Sequence, residues 1–266
     1  MTDTDPDIII RIAAKGDGIT ADGRHAALTA PGDRLLADGT TIAGPHRVEP
    51  PCAHFRPCGG CELQHVDEPS LADFVTGRVV GALAGQGIVA QTVLPPHLSP
   101  PMTRRRASLR AVRAGKTVTI GFAESGSHKL IDLSMCAVLD PRLFALLAPL
   151  RELLRLILPD KRAAHVRMSL IDQGVDLLLE GVKVEGLAAD EGLGDFARTH
   201  GLARLTIDEG DGPQTRWEPE AATVTFGGVP VAFPPFSFLP ATPRGEAALV
   251  GGVREAMPGT GAVAAL

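Results

Sequence analysis

The chain has 266 residues, of which 44% are hydrophobic and 21% are charged, and its formal net charge is −5. This composition is typical of soluble globular proteins rather than of disordered or membrane proteins. No apolar run approaches the roughly 20 residues that cross a bilayer. The acidic start Met1–Asp5 lacks the basic and apolar regions of a signal peptide. We therefore expect a cytoplasmic protein with reduced cysteines.

Residues 8–48 contain short β-type segments separated by glycine turns. Turn signals occur at Gly16–Gly18, at Ala21–Arg24 and at Pro31–Asp33. Several short strands within about 40 residues predict a small β-barrel. The segment Val48-Glu49-Pro50-Pro51 follows as a stiff linker.

Three of the four cysteines lie in the next loop with the spacing C-x5-C-x2-C. They are Cys52, Cys58 and Cys61, and the fourth is Cys136. The Gly59-Gly60 turn lets two thiolates converge, and a distant fourth thiolate would complete a site for a 4Fe–4S cluster or structural zinc. Zinc sites usually pair their ligands as two short knuckles, so a triplet with a lone cysteine favours iron–sulfur.

An amphipathic helix is predicted from near Pro69 to the glycines at 85 and 87, and we expect it to pack over the cysteine loop. Its apolar residues, spaced three and four apart, are Leu71, Phe74, Val75, Val79, Ala82 and Leu83.

A basic segment follows, and it leads into a predicted strand at residues 117–122. Guanidinium groups suit phosphate because their planar fork bonds two oxygens at once. The alternative is a solvated strand face with scattered ion pairs. The basic residues are Arg104, Arg105, Arg106, Arg110, Arg113 and Lys116.

The remaining sequence alternates between helices and strands, which predicts an α+β fold. Asp140 is the expected N-cap and Pro141 the first residue of a helix to residue 158, which Pro149 must kink or split. Further predicted elements are hairpins over 166–180 and 223–233, helices over 185–200 and 243–256, and strands over 203–209 and 262–266.

Three segments occur in order and carry a family resemblance. They are C-x5-C-G-G-C-x-L-Q-H at 52–65, R-R-R-A-S-L at 104–109, and G-F-x-x-x-G-S-H-K-L-I-D-L-x-x-C-x-V-L-D-P-R-L at 121–143. Together they resemble the class I S-adenosylmethionine-dependent RNA (uracil-5-)-methyltransferases, in particular the iron–sulfur members that act on 23S ribosomal RNA. The cysteine loop is the most specific of the three, and the resemblance covers nearly the whole chain.

The resemblance implies a domain order and a set of site residues. It implies a TRAM-like, OB-like barrel over 1–48, a cluster and basic RNA-binding region over 49–137, a central α+β domain over 138–235, and the beginning of a truncated Rossmann-like methyltransferase domain over 236–266. We expect a monomer that binds 23S rRNA. The implied 4Fe–4S ligands are Cys52, Cys58, Cys61 and Cys136, and the implied RNA-binding residues are Arg104, Arg105, Arg106 and Arg110.

The sequence departs from the family in its methyl-donor and catalytic residues. Phe238–Thr242 resembles the family's F-x-Q segment, but Pro240 stands where the glutamine lies at the S-adenosylmethionine site. The glycine-rich donor loop, the nucleophilic cysteine and the carboxylate base follow a strand like 262–266 in the family and are not present here. With all four cysteines assigned to the cluster, no residue is assigned a catalytic role.

Three functions are compatible with these features. The first is a truncated, inactive RNA (uracil-5-)-methyltransferase that does not bind S-adenosylmethionine. The alternative is a non-catalytic RNA-binding protein with a four-cysteine metal cluster. An electron-transfer iron–sulfur protein is the third, and the basic segment disfavours it.

Overall fold

The structure is a computed structural model that describes residues 5–257. The chain divides into two compact units, Met1–Leu98 and Ser99–Leu266. The strand predicted at 262–266 lies outside the described residues. None of the helices within residues 5–257 has the length and apolar character needed to cross a lipid bilayer.

The first unit contains two small antiparallel sheets. A three-stranded sheet has the order β1-β2-β3, a second sheet pairs β4 with β5, and a bridge between Ile8 and Arg34 links them. A small core of Ile12, Ala30 and Val66 lies beside these strands. The strands are β1 (Ile9–Ile12), β2 (Gly18–Thr20), β3 (His25–Ala26), β4 (Arg34–Leu35) and β5 (Thr41–Ile42).

The predicted N-terminal β structure is present, but its strands do not close into the expected barrel within the described residues. Strands of only two to four residues leave too few ladder positions for closure. Gly16 and Gly32 have φ values of 92° and 83°, so the chain reverses before a strand can extend.

Helix α1 (Glu68–Ala84) confirms the helix predicted after the cysteine loop. Asp67 is its N-cap and accepts a hydrogen bond from the amide of Ser70 at 3.0 Å. The expected burial of its apolar face is found only in part. Phe74 packs against the small core, whereas the side chain of Val79 is 60% exposed.

The second unit is built on a six-stranded sheet of order β11-β10-β9-β8-β6-β7. Neighbouring strands are antiparallel except β9 and β10, which are parallel. The sheet joins strands from both sides of residue 137, where a domain boundary is predicted. Its strands are β6 (Arg106–Ala114), β7 (Thr117–Gly121), β8 (Ala163–Ile171), β9 (Gly174–Glu180), β10 (Leu202–Asp208) and β11 (Pro213–Trp217).

Three helices belong with this sheet: α2 (Pro141–Ala145), α3 (Leu147–Ile157) and α4 (Leu187–Thr199). Helix α3 packs against β7, and α4 packs against β10. The buried leucines of α3 join those of β9 in one apolar core. One face of the sheet is thereby covered by helices. On the other face Arg110 and His165 are exposed, whereas Asp176 and Arg204 are buried.

The helix predicted over 139–158 is divided, as its internal proline requires. The break falls at Leu146, so Pro149 becomes the third residue of α3. A proline is tolerated in a first turn because the amides there have no intrahelical acceptor. The predicted N-cap is confirmed, since Asp140 accepts from the amide of Arg142 at 2.9 Å.

A hairpin and a helix complete the described part of this unit. The hairpin consists of β12 (Thr223–Phe226) and β13 (Val229–Ala232). Gly227 and Gly228 form its turn with φ values of 59° and 87°, as a two-residue turn of this kind requires. Helix α5 (Pro243–Ala256) begins at the N-cap Thr242 and has no buried residue.

Candidate nucleic-acid interface and cysteine loop

The basic segment forms the start of β6. Along this strand Ala107, Leu109 and Ala111 are buried in the core. Successive side chains of a strand point to opposite faces of a sheet, so Arg106, Ser108 and Arg110 lie on the face away from the helices. The sheet thus separates the arginines from the apolar core.

Strand β8 adds basic side chains to the same face. Ser108 lies opposite Arg167, and Arg110 lies opposite His165. Sequence reasoning missed both β8 residues, although their alternation with Ala164, Val166 and Met168 carried the signal. We call Arg106, Ser108, Arg110, His165 and Arg167 the polar face.

Two phenylalanines from the segment before α5 stack on this face. The guanidinium carbon of Arg106 lies 4.6 Å from the ring centroid of Phe238, and that of Arg167 lies 4.3 Å from the ring centroid of Phe236. Both distances are within the range of cation–π attraction. Arg167 also donates from Nε to Glu180 at 2.7 Å, so its charge is compensated, whereas Arg106 forms no ion pair with a described residue.

Arg105 is placed differently from its two neighbours. Its side chain is buried, forms an ion pair with Glu246 and donates from Nε to the carbonyl of Pro240 at 3.1 Å. Arg104 donates from Nε to the carbonyl of Arg106 at 3.3 Å. Of the four predicted RNA-binding arginines, Arg104, Arg106 and Arg110 have no carboxylate partner among residues 5–257, and Arg105 has one.

The arginines without such a partner are concentrated around β6. Within the described part of the second unit, eight arginines form ion pairs with carboxylates. Seven others form none with the described residues, and five of these lie on β6 or beside it. The five are Arg104, Arg106, Arg110, Arg113 and Arg162.

Pro240, at the position where the resemblance places the glutamine of the F-x-Q segment, has a structural role here. Its carbonyl accepts from Arg105, and the preceding Leu239 is fully buried. Leu239 packs with Phe233 and Val224 in a second, smaller core. A proline offers no side-chain amide, so the hydrogen bond expected of that glutamine has no donor at this position.

The cysteine loop of the first unit is a succession of turns. The amide of Phe55 donates to the carbonyl of Cys52, and the amide of Cys58 donates to the carbonyl of His54, both at 2.9 Å. Cys58 is buried, and Cys52 and Cys61 are partly buried. Cys136, in the second unit, is partly buried against the apolar core of that unit. No disulfide joins these four cysteines.

The donor chemistry of the four cysteines fits a soft metal centre, because four thiolates suit iron–sulfur clusters and zinc. Within residues 5–257, no group of three histidine, cysteine, aspartate or glutamate side chains is placed to hold a metal ion.

A cavity of about 650 Å³ lies beside this loop in the first unit, and Cys52, Phe55, Arg56 and His65 are among its lining residues. His65 is 2% exposed, and its Nε2 donates to the carbonyl of Thr29 at 3.2 Å. Burial lowers the pKa of His65, so its imidazole is neutral near pH 7. Its Nδ1 has no hydrogen-bond partner among the described residues.

Arg47, which helps to line the cavity, forms an ion pair with the buried carboxylate of Asp33. Arg47 Nε lies 3.1 and 3.2 Å from the two carboxylate oxygens, and the amides of Ala30 and Gly44 each donate to Asp33 at 2.7 Å. Burial alone raises the pKa of Asp33, but the hydrogen bonds from Arg47 and the two amides outweigh it and hold the pKa below its usual value.

Comparison with known proteins gives relatives of one kind. The chain is 45% identical over 249 residues to an uncharacterized RNA methyltransferase of Zymomonas mobilis, covering 94% of this chain and 63% of that protein. It is 37% identical over 265 residues to an uncharacterized RNA methyltransferase of Caulobacter vibrioides, covering 90% of this chain and 61% of that protein.

A relative with a more specific name is the 23S rRNA (uracil(1939)-C(5))-methyltransferase of Pectobacterium atrosepticum. It is 32% identical over 205 residues, which cover 73% of this chain and 44% of that protein. No protein-family model matches the chain. The chain spans about three fifths of the length of the first two relatives. The homologues of this chain are therefore RNA methyltransferases, and they include an enzyme of 23S rRNA uracil C5 methylation.

Proposed function

We propose that this protein takes part in the C5 methylation of uracil in 23S rRNA with S-adenosylmethionine as donor, and that the polar face binds the RNA. The observation that carries the proposal is the placement of Arg106 and Arg110 on one side of β6 without carboxylate partners among the described residues. The names of the relatives supply the substrate class.

The geometry of the polar face suits an RNA strand. Guanidinium groups bind phosphate oxygens through two parallel N–H donors. Phe238 is 76% exposed beside Arg106, so an apolar ring is available next to the cation. Proteins that bind single-stranded nucleic acid combine such basic grooves with aromatic side chains.

The same proposal includes a 4Fe–4S cluster held by Cys52, Cys58, Cys61 and Cys136. The support is the donor set: four cysteines, three of them in one loop of turns. Thiolate ligands commonly converge only when the metal binds, because metal binding and local folding are coupled.

In this proposal the 266-residue chain binds RNA but does not itself transfer a methyl group. A pyrimidine carbon is a poor nucleophile, and a covalent thiolate adduct is the usual way to activate it. The four cysteines of the sequence are Cys52, Cys58, Cys61 and Cys136, and each is assigned to the cluster. No thiol then remains to attack C6 of uracil.

The test compares RNA binding by three forms of the purified chain across a range of salt concentrations. The forms are the parent, Arg106→Ala/Arg110→Ala, and the control Lys183→Ala/Arg254→Ala, which removes two exposed cations elsewhere in the second unit. Loss of two phosphate contacts should lower the slope of log K against log salt by about 1.4 for a single strand.

We expect that decrease in the polar-face variant and the parental slope in the control. Equal slopes in all three forms would overturn the assignment of the polar face. Incubation with labelled S-adenosylmethionine and 23S rRNA should leave the RNA unlabelled, and labelling by the 266-residue chain would contradict the assignment of all four cysteines to a cluster.

A further inference from the structure

A second group of cations lies at the opposite end of β6. The turn between β6 and β7 consists of Gly115 and Lys116, and it follows directly after Arg113 and Ala114. The turn that leads into β8 contains Lys161 and Arg162, and it lies beside the turn between β6 and β7. We call Arg113, Lys116, Lys161 and Arg162 the hairpin-end cluster.

Backbone hydrogen bonds hold the two turns of this cluster together. The amide of Arg113 donates to the carbonyl of Arg162 at 3.0 Å, and the amide of Lys161 donates to the carbonyl of Arg113 at 3.1 Å. The guanidinium of Arg113 donates to the carbonyls of Leu158 at 2.7 Å and Gly115 at 3.0 Å. The charge of Arg113 is therefore held in position by bonds to neutral groups, and the backbone bonds keep the two turns adjacent.

The cluster carries an excess of positive charge. None of its four cations forms an ion pair with a carboxylate of the described chain, although most arginines on the neighbouring elements do. One carboxylate lies close by: Asp160 accepts from the amide of Gly115 at 2.6 Å. Four cations and one carboxylate leave a net positive surface in a chain whose formal net charge is −5.

The backbone of Lys161 gives independent support for a role of its side chain. Its φ is 60°, a left-handed conformation that favours glycine or asparagine over lysine. Unfavourable backbone conformations tend to be kept where the side chain has a function. The side chain of Lys161 is exposed, so packing does not account for the lysine.

We propose that the hairpin-end cluster is a second binding site for the RNA phosphate backbone, contacted by the same RNA that lies on the polar face. Strand β6 has nine residues. At about 3.3 Å per residue, its two ends are about 26 Å apart. Arg113 belongs to the helix-covered face, since it lies two positions beyond Ala111 and its guanidinium bonds Leu158 at the end of α3. An RNA on the polar face would therefore pass over the end of the sheet to reach this cluster, and the site rests on the proposed RNA-binding function.

The experiment measures salt-dependent binding of a single-stranded RNA of about 16 nucleotides, a length that reaches both ends of β6. The variant is Lys161→Ala/Arg162→Ala, and the control is Lys183→Ala/Arg254→Ala. The slope should fall by about 1.4, and the affinity near 0.1 M salt should fall by about tenfold or more. Combination with Arg106→Ala/Arg110→Ala should lower the slope by the sum of both effects.

A second variant separates RNA contact from folding. Lys161→Asn suits the left-handed backbone and should leave the free energy of unfolding unchanged or raised, while it weakens RNA binding. Parental affinity and slope in both Lys161 variants would overturn the hairpin-end cluster while leaving the polar face intact. An absence of RNA binding by the parent chain would instead overturn the proposed function itself.

Discussion

Arg105 and Glu246 form an ion pair that connects the basic segment to the first turn of α5. The side chains are 9% and 20% exposed, so most of the pair is removed from water. The backbone amide of Arg105 also donates to the carbonyl of Ala241 at 2.9 Å. The middle arginine of the three therefore maintains the fold, whereas Arg104 and Arg106 have no carboxylate partner among the described residues.

Arg105→Ala should lower the free energy of unfolding by about 3 kcal/mol, because it leaves the carboxylate of Glu246 partly buried without its partner. Urea denaturation measures the change. The double variant Arg105→Met/Glu246→Leu should recover most of the loss, and Arg106→Ala serves as the control that weakens RNA binding instead. A parental urea midpoint for Arg105→Ala would show that the ion pair contributes nothing.

The cluster proposal is tested by chemical analysis of protein purified without oxygen. We expect about four irons and four sulfides per chain, as in a 4Fe–4S protein. Cys136→Ser should abolish retention of iron and sulfide, whereas Ser125→Ala, in the same connecting segment, should retain both. Stoichiometric zinc without sulfide in the parent would contradict the iron–sulfur assignment.

Asp33 predicts a pH dependence of the stability of the first unit. Hydrogen bonds from Arg47, Ala30 and Gly44 keep its folded-state pKa below the unfolded value of about 3.9. Between these two pKa values the unfolded state binds more protons, so this contribution is complete above about pH 4 and is lost as the pH falls through the folded pKa.

The measurement is the urea midpoint of the first unit from pH 6 down to pH 2.5, for the parent and for Asp33→Asn. The variant should be less stable at pH 6, and its stability should change less on acidification. Parallel pH profiles for the two proteins would mean that Asp33 is not the titrating group.

Arg204 and Asp176 form a bidentate pair between the parallel strands β10 and β9, with N–O distances of 2.8 and 3.0 Å. Both side chains are almost completely buried, and Arg204 also donates to the carbonyl of Phe233 at 2.8 Å. Asp176→Ala should lower the free energy of unfolding by about 3–5 kcal/mol, because the guanidinium is then buried without its counter-charge.

Calorimetric or urea unfolding measures this loss. The matched control is Asp195→Ala, which removes an exposed pair with Arg198 on α4 and should change the stability by less than about 1 kcal/mol. Similar small losses for both variants would contradict the importance of the buried pair.

Local sequence signals predicted most of the elements. Asp67, Asp140 and Thr242 each precede a proline-containing first turn, and all three cap helices as such residues do. Gly227-Gly228 likewise marks the hairpin turn, because consecutive positive φ angles favour glycine. These features depend on neighbouring residues alone.

Features that depend on distant residues could not be obtained in this way. The ion pair of Arg105 joins positions 141 residues apart, so nothing near the basic segment distinguishes its middle arginine. The two basic side chains of β8 on the polar face could be found only from the register that sets Arg110 opposite His165 and Ser108 opposite Arg167. The prediction of a small N-terminal barrel was wrong for a related reason. The number of strands can be read from the sequence, but closure depends on which strands pair with each other.

The concentration of uncompensated cations around β6 has a practical consequence for handling the protein. Its formal net charge of −5 predicts retention on an anion exchanger at neutral pH. Immobilised heparin, a polyanion, should instead bind the side of the sheet that bears Arg106 and Arg110. A heparin column should therefore retain this protein although its net charge is negative. Heparin chromatography therefore offers both a purification step and a rapid sorting of the arginine variants by elution salt.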